Sequence, residues 1–134
     1  MTIVRHGTSR MEEDSGGPLG AFRAELISDT AGLTQLGACI EELSPGARSS
    51  HAHWHATENE MVMILAGEVT VFENAVETVL HAGDAACSKA GDPVAHRLFN
   101  HSKHLMRYLA IGTRAPADRI TYPDHDGFLH FDRI

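Results

Sequence analysis

The stretch Ser50-His51-Ala52-His53-Trp54-His55, with Glu60 five residues beyond it, decides how this chain is read. In an extended strand, alternate side chains share one face. His51, His53 and His55 therefore point the same way, and a strand returning from a short turn brings Glu60 beside them. Neutral imidazole nitrogens and a carboxylate converging on one point are what a divalent transition metal requires. The spacing His-x-His-x4-Glu occurs in two registers: His51, His53 and Glu58, or His53, His55 and Glu60.

Outward from this stretch, short apolar or alternating runs follow one another from Phe22 to Ile111, among them Phe22–Ser28, Leu33–Leu43, Ser50–Ala56, Met61–Leu65 and Val94–Phe99. Breaks such as Pro45-Gly46, Ala66-Gly67 and Gly91-Asp92-Pro93 separate them. None is long enough for an average capped helix, and many short strands with regular turn signals predict an all-β sandwich or barrel. Met61–Leu65 is apolar on both faces, which predicts a central strand covered on both sides. Residues 1–20 are polar and read as a loose N-terminal arm. Residues 114–134 carry two prolines and little periodicity, which predicts an irregular C-terminal tail packed on a barrel of residues 21–113, with one helical turn near Ala117.

A chain of 134 residues fits one domain with a genuine core. Its formal net charge of −7 argues against general nucleic-acid binding and docking on anionic membranes. No apolar stretch is long enough to span a bilayer, and Met1–Gly20 lacks the apolar centre of a secretory signal. Cys39 and Cys87 form no disulfide framework, so they are expected as small buried filler in a reduced, cytoplasmic setting. There is no Gly-x-Ser-x-Gly elbow, phosphate-cradling loop or dinucleotide fingerprint.

Pro45-Gly46, His53-x-His55, four residues, Glu60, six residues and Gly67 resemble the first motif of the cupins. Gly83-Asp84, Gly91, His96, three residues and Asn100 resemble their second. Two motifs in the right order and with the right gap are far more specific than either alone. The likeness is strongest to small single-domain cupins of the HWH type, which share Pro-Gly-Ala-Arg-Ser-Ser before the histidines and Thr-Tyr-Pro-Asp near the end. Ser88-Lys89 departs from the aromatic and proline usual before the second motif's alanine-glycine pair. The resemblance implies a double-stranded β-helix, or jelly roll, and a homodimer in which residues 1–30 supply an exchanged strand or arm. It also selects the register His53, His55 and Glu60, because only that glutamate leaves six residues before a glycine, Gly67.

The resulting ligand set is His53, His55, Glu60 and His96, holding one divalent transition metal. Three nitrogens and one oxygen suit Zn, Fe, Mn or Ni alike. Val62 and Ile64 share a face with Glu60, and Leu98 and Asn100 share one with His96, so these four are expected to line the pocket or support the ligands. Asn100 either hydrogen-bonds a ligand residue or fixes the turn to His101-Ser102-Lys103. His51 is the one extra acid–base candidate, a proton donor at the mouth or an exposed residue. Glu58 is expected as a solvated rim carboxylate, Trp54 faces away from the cavity, and His6, His81, His101, His104, His125 and His130 default to the surface. The triplet Asp124-His125-Asp126 reads as exposed tail. Arg48, Lys89 and Arg97 are too scattered for a phosphate clamp, although one or two at the mouth would attract a carboxylate or sugar phosphate. The expected function is a metal-dependent enzyme on a small polar metabolite. The competing expectation is a module that binds a carboxylate or sugar at the same metal without turnover.

Overall fold

The computed structural model describes residues 1–125 and 127–132. Its strands, in chain order, are β1 (Arg10–Asp14), β2 (Phe22–Leu26), β3 (Leu36–Leu43), β4 (Trp54–His55), β5 (Glu60–Ala66), β6 (Glu68–Glu73), β7 (Val76–His81), β8 (Ala85–Ser88), β9 (His96–Phe99), β10 (Met106–Thr113), β11 (Ala117–Tyr122) and β12 (Gly127–Asp132). They form an antiparallel sheet in the order β1-β2-β3-β10-β5-β8 and two three-stranded sheets, β12-β11-β4 and β7-β6-β9. The all-β jelly roll expected from the sequence is the architecture found.

Alternation places the core. Leu43 on β3, Ile64 on β5, Val69 and Val71 on β6, Leu98 on β9, and Met106 and Tyr108 on β10 point inward and form one buried cluster. The turn between β5 and β6 depends on Gly67, whose φ of +78° suits glycine. A Cβ there would stand 3.0 Å from the Leu105 carbonyl oxygen and the Met106 Cβ. The glycine that selects the ligand register is thus also demanded by packing.

Four expectations need correction. Residues 10–14 are not loose: β1 pairs along its whole length with β2. Only Met11 among them is partly buried, so backbone pairing fixes this strand without an apolar pattern that would announce it. The tail is not irregular: β11 and β12 form a hairpin around a 3-10 turn at Pro123–His125, and Ala117 begins a strand, not a helical turn. The run Phe22–Ser28 ends as a strand at Leu26 and continues as the one-turn helix α1 (Ile27–Ala31), stopped by Gly32 at φ 76°. Finally, β5 lies between β10 and β8, but only its inner face is covered, with Met63 38% and Leu65 39% exposed.

Asn100, fully buried, fixes the turn after β9. Its amide donates to the carbonyls of Leu43 at 2.9 Å and His104 at 2.8 Å, and its oxygen accepts from the Ser102 backbone N–H and hydroxyl. Of its two expected roles, the turn is the one it fills, and its side chain has no capacity left for a pocket ligand. Asn100→Ala strands two carbonyls in the interior and is expected to destabilise the fold by about 1–3 kcal/mol. Chemical denaturation should show that loss, with metal content per folded molecule unchanged.

Candidate metal centre

Two backbone bonds bring the motifs together. The N–H of His53 donates to the carbonyl of His96 at 3.2 Å, and the N–H of His96 donates back at 3.0 Å. This bridge stands outside the named strands, because β4 is only Trp54–His55 and not the full run expected from residue 50. It sets the two imidazoles 4.9 Å apart, centroid to centroid. His55 follows on β4, held by pairing to Ile120 of β11. Glu60 opens β5, after a turn in which the Asn59 side chain accepts the Ala90 N–H at 2.8 Å.

The expected ligands meet at the Glu60 carboxylate. His55 Nε2 lies 2.7 Å from Oε1, His96 Nε2 lies 2.6 Å from Oε2, and His53 Nε2 lies 3.9 Å from Oε1. Burial works to raise the pKa of Glu60, but the three imidazoles outweigh it and hold the carboxyl far below the ordinary range. The opposite ring edges are anchored. His53 Nδ1 donates to the His51 carbonyl at 2.8 Å, and His55 Nδ1 stands 2.6 Å from Asp118 Oδ2. A carbonyl can only accept, so the neutral His53 ring carries its proton on Nδ1 and turns the Nε2 lone pair toward Glu60. An ionised Asp118 imposes the same tautomer on His55. Lone pairs and a carboxylate aimed at one point repel unless a cation lies among them. The donor set therefore fits a divalent transition metal, as well as the protons that hold it together without one.

Sequence reasoning missed Asp118. It sits in the segment read as tail, yet it is buried on β11 and also accepts from the Thr57 backbone N–H at 2.9 Å and the Thr57 hydroxyl at 2.9 Å. Burial works to raise its pKa, but His55 and Thr57 bring it below the usual value. Only the alternation of Ile120 and Tyr122 hinted at a strand there. Glu58 is also a correction. It is buried, not solvated; its Oε2 accepts the Ala115 N–H at 2.9 Å and its Oε1 lies 3.8 Å from His55 Nδ1. Ser88, the departure from the family pattern, places its hydroxyl 3.3 Å from His96 Nδ1.

The centre opens on a cavity of about 360 Å³, lined by His53, Glu60 and His96 and by apolar side chains including Val62 and Leu98. Ile64 has the expected inward parity but lies in the core beside it. His51 is exposed, its ring edge-on to His125 at 4.5 Å between centroids, and what reaches the centre is its carbonyl. Trp54 is half-buried. Of the triplet near the end, Asp124 and His125 are exposed, and Asp126 lies outside the described residues. Cys39 is half-buried against the cavity, its thiol pushed up to about 12 by burial and by Glu41, whereas Cys87 is exposed rather than buried filler.

Two outcomes test the geometry. Asp118→Asn keeps the shape but removes the charge behind His55, and metal affinity by chelator competition should fall about 10–100-fold. Burial works to lower the His55 pKa, but Glu60 and Asp118 raise it overall, above 6.5. Metal-free protein should therefore hold this stabilisation fully below about pH 6.5 and lose it as pH rises through the raised value. Metal-loaded protein should not show that loss in thermal unfolding.

No curated protein matches this chain. A sugar phosphate isomerase from Silicibacter pomeroyi DSS-3 superposes with a TM-score of 0.84 at 26% identity, covering 98% of this chain and 93% of that one. A putative sugar phosphate isomerase from Acidithiobacillus ferrooxidans gives 0.77 at 24% identity over 86% and 78% of the two chains. The polyketide cyclase RemF from Streptomyces resistomycificus gives 0.65 at 18% over 84% and 79%. The last two likenesses speak to the fold alone. The family model for the cupin domain matches residues 39–112, more than half of the chain and both histidine motifs, and the protein is a cupin.

Proposed function

We propose that this cupin is a metal-dependent enzyme acting on a small polar metabolite, with His53, His55, Glu60 and His96 as the ligands of one divalent transition metal, Zn, Fe, Mn or Ni. The observation that carries this reading is the ring of three imidazole nitrogens around one carboxylate at the end of a cavity of about 360 Å³. That volume suits a metabolite of few heavy atoms. Four protein ligands leave room on a five- or six-coordinate ion, and such an ion polarises a bound carbonyl or hydroxyl. The chain's own residues orient the ring edges, line the cavity with apolar side chains, and hold Glu60 ionised.

The likeness to a sugar phosphate isomerase, 26% identical over 98% of this chain, supports isomerisation of a phosphorylated sugar as the first reaction to assay. Arg97 is among the residues lining the cavity, but its guanidinium stacks 4.2 Å from the ring centroid of Phe72, which alternates with the core residue Val71.

Element analysis of untagged protein should find one metal per chain. His55→Ala, Glu60→Ala and His96→Ala should each remove most of it, while His51→Ala leaves it nearly unchanged. Equal loss in His51→Ala would show that the register is wrong. Turnover of sugar phosphates by Fe, Mn, Ni or Zn forms, abolished in His96→Ala, supports the enzyme. Tight ligand binding without product in any metal form would replace it with a binding module.

A further inference from the structure

Below the metal centre the cavity wall carries a second polar group. Glu41 on β3 shares inward parity with Cys39 and the core residue Leu43. The register of β3, β10 and β5 sets Glu41, Tyr108 and Ile64 in one cross-strand row, and Gly37, Gly112 and Glu60 in a row nearer the centre. Glu41 and Tyr108 both line the same cavity as His53, Glu60 and His96. The Tyr108 hydroxyl donates to Glu41 Oε2, and the Cys39 thiol lies 3.6 Å from Oε1. Tyr108 is only 2% exposed, and among the described residues no cation is bonded to Glu41.

A carboxyl group in an apolar cavity without a cation is unfavourable for stability. Burial, first among the causes, raises the Glu41 pKa even though Tyr108 and Cys39 donate to it, and burial and Glu41 push the Tyr108 phenol well up. A group of this kind contributes nothing to packing that leucine would not supply better, so a role toward a ligand is its simplest account. Of the two arginines in the lining, Arg114 is already taken by Asp29 at 2.5 Å and by the Leu33 carbonyl, and the Arg97 guanidinium stacks on the Phe72 ring.

The remaining capacity defines what fits. With its donor committed to Glu41, Tyr108 offers oxygen lone pairs, and Glu41 Oε1 is met only by a weak thiol donor. Both accept hydrogen bonds. An anion placed there would face a carboxyl group with no counter-charge, whereas hydroxyl groups would donate to both oxygens.

We infer that Glu41 and Tyr108 form a hydroxyl-recognition pair that takes the uncharged, hydroxylated part of a small ligand whose other end reaches the metal. This deepens the proposed function by naming the substrate class, a polyhydroxylated metabolite, and rests on that reading only for the metal-facing end. Neither residue belongs to the proposed ligand set, and the hydrogen bonds they make are to each other and to Cys39.

The test uses the full-length zinc-loaded protein and two probes of equal chain length, ribitol and 1-pentanol, titrated by NMR. Wild type should bind ribitol more tightly than 1-pentanol. Glu41→Leu and Tyr108→Phe should each weaken ribitol at least tenfold and reverse the preference, with zinc content unchanged, and Glu41→Gln should recover part of the ribitol affinity. A merely structural role would weaken both probes together. Ribitol binding that is absent in wild type, or equal in all variants, overturns the pair while leaving the metal reading intact. Glu41-dependent ribitol binding by protein that takes up no metal would sustain the pair and overturn the proposed enzyme.

Discussion

The reciprocal backbone pair between His53 and His96 is the constraint on which the site depends. Two N–H···O bonds join His53, inside the first motif, to a strand that begins some forty residues later. Everything chemical follows from that join, because neither motif alone supplies more than two imidazoles and one carboxylate. A backbone pair is well suited to this task. It fixes the separation of two Cα atoms within a narrow range whatever the side chains do, so the rings converge before any ion arrives. A metal taken up there would meet a largely preformed arrangement, with little ordering entropy left to lose.

A second layer of contacts turns this convergence into orientation. The His51 carbonyl and the Asp118 carboxylate each take the outer edge of a ring, which settles which nitrogen faces inward. Asp118 matters most, since it brings charge as well as direction and is buried on β11 of the C-terminal hairpin. That hairpin is therefore part of the centre, not a covering. Glu58 lies beside the same imidazole, and its buried carboxylate ties the turn before β5 to the start of the hairpin through Ala115. The acidic residues near His55 thus divide into one that meets the shared point, Glu60, and two that stand behind it.

Much of this was legible in the chain. His53, His55, Glu60 and His96 could be named because alternation and spacing are local properties and the two motifs resemble those of the cupins, and the packing at Gly67 gives a physical reason for the glycine on which the register was chosen. The pocket parity held for Val62 and Leu98 and carried Ile64 to the right face but too deep. Glu41 left a readable trace, a charge at the inward parity of an apolar run between Cys39 and Leu43. Strand β1 left almost none, because an edge strand with a polar surface is specified by its partner's backbone and not by its own composition.

The amino-acid sequence by itself determined the all-β class, through periodicity, and displayed the two motifs whose resemblance to the cupins named four candidate ligands. Tertiary structure alone decided which ring edges face the shared point, that Asp118 stands behind His55 across 63 positions, and that Asn100 closes a turn and not a pocket. Those outcomes depend on contacts between segments far apart in the chain. Spacing fixes what neighbours along a strand do, and only the folded backbone fixes which distant groups become neighbours.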